Sequence, residues 1–119
     1  MYNIEEIHKD HVQWKRKLDF YRDEILFFFK ELNKVFDKDK ENLQRMEFID
    51  EYEAILEKKQ EQLESVYQRI NDAEKSISEG ESSDALQKVH QQLSLDLQKF
   101  HRAYLKMKQG FKMFAARNH

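Results

Sequence analysis

His8 and His11 stand three residues apart, so on a helix they share one face. Two or three imidazoles with a carboxylate make a donor set suited to a divalent transition metal. His90 and Glu74 are the candidates to complete that set, if the chain folds back twice and brings them to the height of His8. Glu5 and His8 also form one Glu-x-x-His. A di-iron bundle needs two such motifs, plus a Glu from each of two other helices. No second one exists, because His8, Gln87 and Gln98 stand three residues before His11, His90 and His101. His-x-x-x-Glu and His-x-x-x-His spacings are absent too. The competing reading makes His11 and His90 half-buried polar residues at the end of a helical seam. No cofactor is expected.

Little else in the chain is arranged for catalysis. There is no Cys, hence no thiolate ligand or nucleophile. No Gly-rich phosphate loop and no Gly-x-Ser-x-Gly occur. Ser76, Ser78, Ser82 and Ser83 cluster in and around a turn, where capping accounts for them. The carboxylates are scattered as on solvated helix faces. A non-catalytic protein is therefore expected. The formal net charge of -2 speaks against nucleic-acid binding, which needs an electropositive face. The first residues lack the basic and apolar regions of a signal peptide. No run approaches the ~20 apolar residues of a membrane span. A cytoplasmic location is the expectation.

The elements that would position these residues are long helices. Two Gly and no Pro leave few chain-breakers. Charged residues make up 37% of the chain and mean hydropathy is -0.96, values that alone suggest disorder. The 13% aromatic content and regular apolar spacing oppose that reading. The first helix is expected over about 3–36, with Asn3 and Glu6 as a capping box. Its stripe is Ile7, His11, Trp14, Leu18, Tyr21, Ile25, Phe28, Leu32 and Val35. The steps alternate four and three, a coiled-coil-like seam. The second helix is expected over about 40–78, capped by Asp37 or Asp39. Its stripe is Ile49, Tyr52, Leu56, Lys59, Leu63, Val66, Ile70, Ala73 and Ile77. Lys59 can lay its methylenes on the core and keep its ammonium in water. The heptad spacing also runs through residues 37–42, so a single helix from Asn3 to Ser78 is the alternative. Gly80 suits a left-handed position after the second helix. The third helix is expected over about 83–117, with Asp84 and Gln87 as a second capping box. Its stripe is Leu86, Val89, Leu93, Leu97, Phe100, Tyr104, Met107, Phe111 and Phe114.

These elements predict one all-α domain over residues 1–119, an antiparallel up-down-up three-helix bundle. Acidic Glu47, Asp50, Glu51, Glu53 and Glu57 would then lie level with basic Lys99, Arg102, Lys106, Lys108 and Lys112. Unlike blocks at one height help to select register. The segment Ile25–Phe29 is apolar on nearly every side, which asks for burial on more than one side. Phe20 and Phe27 fall to one side of the first seam, Phe29 and Phe36 to the other. In one reading these rings are the aromatic end of a single core, level with Phe48, Tyr52, Met107, Phe111 and Phe114; in the other, three helices leave part of the set exposed, and such a patch marks an interface. The expected function is a protein–protein interaction or scaffold bundle. It would self-associate through Phe20, Phe27, Phe29 and Phe36 into a larger bundle, or bind another helical protein. The alternative is a metal-binding bundle, perhaps an enzyme, using His8, His11, His90 and Glu74. A weaker one is peripheral membrane binding by the basic amphipathic last helix.

Overall fold

Each helix starts on a side-chain cap. Asn3 Oδ1 accepts the Glu6 N–H at 2.8 Å, Asn42 Oδ1 accepts the Arg45 N–H at 3.2 Å, and Ser82 Oγ accepts the Ala85 N–H at 3.3 Å. Each bond satisfies one of the amide donors that a helix start leaves open. The computed structural model describes residues 3–38 and 42–117, which form α1 (Ile4–Lys38), α2 (Leu43–Ser78) and α3 (Ser83–Arg117). The caps of α2 and α3 differ from the sequence expectation. α1 continues through Asp37, so Asn42, extended at φ -91°, takes the capping role assigned to Asp37 or Asp39. Residue 39 itself lies outside the described residues. Ser82 caps α3 in place of Asp84. The extended backbone at Asn42 also separates α1 from α2, so the uninterrupted helix is not formed. Gly80 adopts φ +77° after α2, the left-handed position that favours glycine.

The fold is an all-α three-helix bundle, 59 Å long and about 20 Å wide. Contacts fix its directions. Arg22 pairs with Glu64 and His11 with Glu74, so α2 runs against α1. Arg69 pairs with Asp96 and Tyr52 packs on Phe111, so α3 runs against α2. Asp10 meets His90 and Glu24 meets Tyr104, so α1 and α3 are parallel.

The seams read from the sequence form the core. Leu18, Ile25, Leu56, Leu63, Ile70, Leu93 and Tyr104 are fully buried. The one misplaced stripe residue is Val89, which is 47% exposed. His90 takes its place, so α3 keeps the four-and-three rhythm of α1 from Leu86 to Phe114. Lys59 behaves as expected: half-buried, it reaches Gln62 at 3.2 Å, and burial lowers its pKa. The backbones of α1 and α3 approach one another less closely than either approaches α2. The bulk of the α1–α3 side chains explains this. Trp14 stacks on His90, Tyr21 lies on Tyr104, and Phe28 packs on Phe111. Rings of this size hold two helices apart.

Candidate functional site

The histidine end brings the predicted residues together. His8 Nδ1 and His11 Nδ1 lie 2.8 and 2.9 Å from the same oxygen, Glu74 Oε1. His11 and His90 are 1% and 2% exposed, with ring centroids 5.5 Å apart. His90 Nε2 bonds Asp10 Oδ2 at 2.9 Å. The cluster thus draws on all three helices: His8, Asp10 and His11 from α1, Glu74 from α2, and His90 from α3. Both α1 imidazoles donate Nδ1–H to Glu74, which fixes their tautomer. His11 Nε2 is buried without a hydrogen-bond partner. Burial lowers the His11 pKa against the opposing pull of Glu74. Burial pushes the Glu74 carboxyl up, but the bonds from His11 and His8 outweigh it and the net shift is downward.

The distances are those of hydrogen bonds between the imidazoles and the carboxylates. Among the described residues, no group of three or more His, Cys, Asp or Glu side chains is placed to hold a metal ion. The arrangement can move or store protons and can order the three helix ends. Asn71, which lies one turn before α2 Glu74, is exposed and takes no part.

Three further polar sets sit on the seams. Tyr104 is fully buried and donates its hydroxyl to Glu24 Oε1, while Lys108 Nζ bonds Glu24 Oε2 at 2.7 Å. Tyr21 bonds His101 across the same seam. Tyr67 bonds Asp19 between α1 and α2, with the Arg22 guanidinium 4.3 Å from its ring. Burial, aided by the nearby carboxylates, raises the pKa of all three tyrosines. Hydroxyls held protonated in this way are struts between helices, not nucleophiles. Sequence periodicity places Tyr21 and Tyr104 in the core, but it gives no sign of their partners, which lie 80 residues away.

The aromatic set divides. Phe20 and Phe27 are 58% and 55% exposed, seven residues apart on one face of α1. Phe29 is half-buried and packs on the core, and Phe36 is 38% exposed near the α1 C-terminus. Phe28 faces inward. Phe20 and Phe27 thus form a ridge that the other two helices leave open. Lys108 approaches the Phe20 ring at 5.9 Å, which puts the ridge on the α3 side of α1. The apolar face of the basic last helix is taken up by the core: Phe100, Tyr104, Met107, Phe111 and Phe114 are all buried.

A cleft of about 490 Å³ opens between the start of α2 and the end of α3. Phe48, Tyr52 and Phe114 line it, and so do Gly110 and Met113. Sequence reasoning sets Phe48, Tyr52 and Phe114 level with the aromatic part of α1 but shows no cleft between them. The signal was Gly110, a glycine inside a helix with no turn beside it, which often marks a close approach. A Cβ on residue 110 would stand 3.2 Å from the Tyr52 hydroxyl.

No family model matches this chain, and no curated protein or solved structure resembles it closely enough to guide its reading. Among the described residues no helix is long and apolar enough to cross a membrane.

Proposed function

We propose that this protein is a non-catalytic interaction bundle that associates with copies of itself through the Phe20–Phe27 ridge of α1. The exposure of these two rings carries the reading. A solvated helix face seldom presents two phenylalanines one heptad apart, and burying each contributes about 1.5–3 kcal/mol. Phe36, also exposed, lies on the other side of the α1 seam and is not part of this ridge. Phe29 contributes to the core instead. The chain's titratable groups support a non-catalytic role, because those with buried partners sit on helix seams and bond one another.

The test replaces both ridge residues, Phe20→Glu with Phe27→Glu. Sedimentation equilibrium should show a smaller species with unchanged helicity by circular dichroism. A particle of unchanged size would remove the ridge from the interface. The side chains point outward, so the substitutions leave the core intact and the variant is expected to fold.

A further inference from the structure

We propose that the outward face of α3 is a contact surface for an anionic lipid bilayer, on which the bundle lies lengthwise. This is the side of the helix opposite its buried apolar stripe. Lys99, Arg102, Lys106 and Lys112 are exposed on it. None of the four makes an ion pair within 4.0 Å among the described residues. Leu95, Leu105 and Met113 share the face, at 53, 47 and 54% exposure. The other exposed side chains between 95 and 113 are Gln98 and Gln109. Asp96 is the last carboxylate of the helix, and it turns to Arg69 of α2.

The acids of the bundle leave this face clear. Sequence alone sets an acidic block of α2 level with these cations. The block does lie level, since Tyr52 packs on Phe111, but most of its acids turn away. Asp50 and Glu57 stand at heptad intervals from Glu64, which pairs with Arg22 of α1. Glu53 stands at heptad intervals from Tyr67 and Glu74, which bond Asp19 and His11 of α1. Glu51, one turn from Phe48, stays on the α3 side, and Lys58 follows it one heptad later. On the α1 flank, Glu24 accepts from Tyr104 and Lys108, Glu31 from Lys34, and Asp10 meets His90. The net charge of -2 thus conceals a separation, with a cationic face on α3 turned away from the acids of α2.

Charge selects an anionic occupant, and the three aliphatic side chains select lipid. A nucleic acid would use the cations alone, and the exposed residues of this stretch offer no aromatic ring for base stacking. At a bilayer the cations meet headgroup phosphates and carboxylates while Leu95, Leu105 and Met113 enter the acyl boundary. An acidic protein would have to grip a convex ridge made by one helix. A plane meets a straight ridge along its length, about 27 Å between residues 95 and 113. The Phe20–Phe27 ridge belongs to α1, so this inference does not rest on self-association.

The test is co-sedimentation of the full chain with phosphatidylcholine vesicles, with and without phosphatidylserine. Binding is expected to the mixed vesicles only. It should weaken about ten-fold or more with added salt, as the Debye length shrinks from about 30 Å to about 8 Å. Each cation at an anionic surface raises affinity about five-fold, so Lys99→Gln, Arg102→Gln, Lys106→Gln with Lys112→Gln should lower it about 500-fold. A second variant, Leu95→Gln, Leu105→Gln with Met113→Gln, keeps every charge and should lower it about ten-fold. All seven side chains are exposed, and circular dichroism checks that both variants fold. Sedimentation equilibrium of the charge variant should show unchanged size, which separates this face from the α1 ridge. Absence of binding to the mixed vesicles at low salt overturns the proposal, as does binding that ignores salt or survives the charge variant. Full vesicle binding by the aliphatic variant would mean that the face reads charge alone. Competition by single-stranded DNA or polyglutamate would then name the polyanion, and the assignment to lipid falls. Loss of association in the charge variant would make α3 part of the self-contact and overturn the assignment as well.

Discussion

His11 is the residue whose protonation state matters most to the fold. In the neutral form its Nδ1–H serves Glu74 and its Nε2 lone pair is buried. A proton on Nε2 would be a buried donor without an acceptor, beside His90. Its folded pKa is lowered, so the unfolded chain binds the proton more readily. Stability from His11 is therefore full above the ordinary histidine value of about 6.5 and falls as pH drops below it. Glu74, whose folded pKa is also lowered, adds a second loss as pH falls through the carboxylate range. The melting temperature should thus decline in two stages on acidification from pH 7.5. His11→Leu should flatten the first stage, as measured by thermal melts at a series of pH values. An unchanged first stage in that variant would shift its origin away from His11. At this scale the sequence was partly legible. Helical spacing and two chain reversals bring His8, His11, Glu74 and His90 to one end. The bond from Asp10 to His90 was not legible, because it depends on side-chain reach across the widest helix pair.

Helix positions were the most legible level, because burial enforces period. Every stripe residue of α1 and α2 points inward or lies half-buried, Lys59 included. Val89 departs from the stripe for a physical reason: valine is the more apolar of the two neighbours, yet a histidine with a carboxylate partner, as His90 has in Asp10, is tolerated inside. The caps were less legible, since several Asp, Asn and Ser residues near each start can all accept an amide proton. Gly110 tests the element scale. A helix-interior glycine costs about 1 kcal/mol relative to alanine. The added Cβ would press on the Tyr52 hydroxyl at 3.2 Å, the far end of a half-buried ring. A shift of a few tenths of an ångström accommodates it. Gly110→Ala should therefore stabilise the monomer by about 0.5–1 kcal/mol, raising Tm by about 2–4 °C. A lowered Tm would mean that the aromatic floor of the cleft is held rigidly.

Over the whole molecule the two ends differ in what holds them. The contiguous apolar cluster runs from Leu18 and Ile70 to Leu32, Ile49 and Phe114, and it contains the packed rings Phe28, Tyr104 and Phe111. The other end lies beyond this cluster. Its buried residues are Ile7, Ala73, Leu86 and Leu93, with His11 and His90 among them. Apolar burial contributes roughly 25 cal/mol per Å², so the ring-filled end gains more than an end where Ala73 and two imidazoles stand among three aliphatic side chains. Periodicity shows the stripes but not this asymmetry, which depends on which large residues meet at one height. Local opening should follow it. In native-state hydrogen exchange, amides of residues 7–14, 70–77 and 86–93 should open at lower free energy than those of 21–28, 49–56 and 104–111. Acidification from pH 7.5 towards 5.5 should widen the gap, because His11 destabilises only its own end. Exchange rates must first be corrected for their intrinsic pH dependence. Equal opening energies at both ends would mean that the bundle unfolds as one cooperative unit. The histidine cluster would then be coupled to the aromatic core through the rigidity of the helices, and its titration would be felt along the full 59 Å.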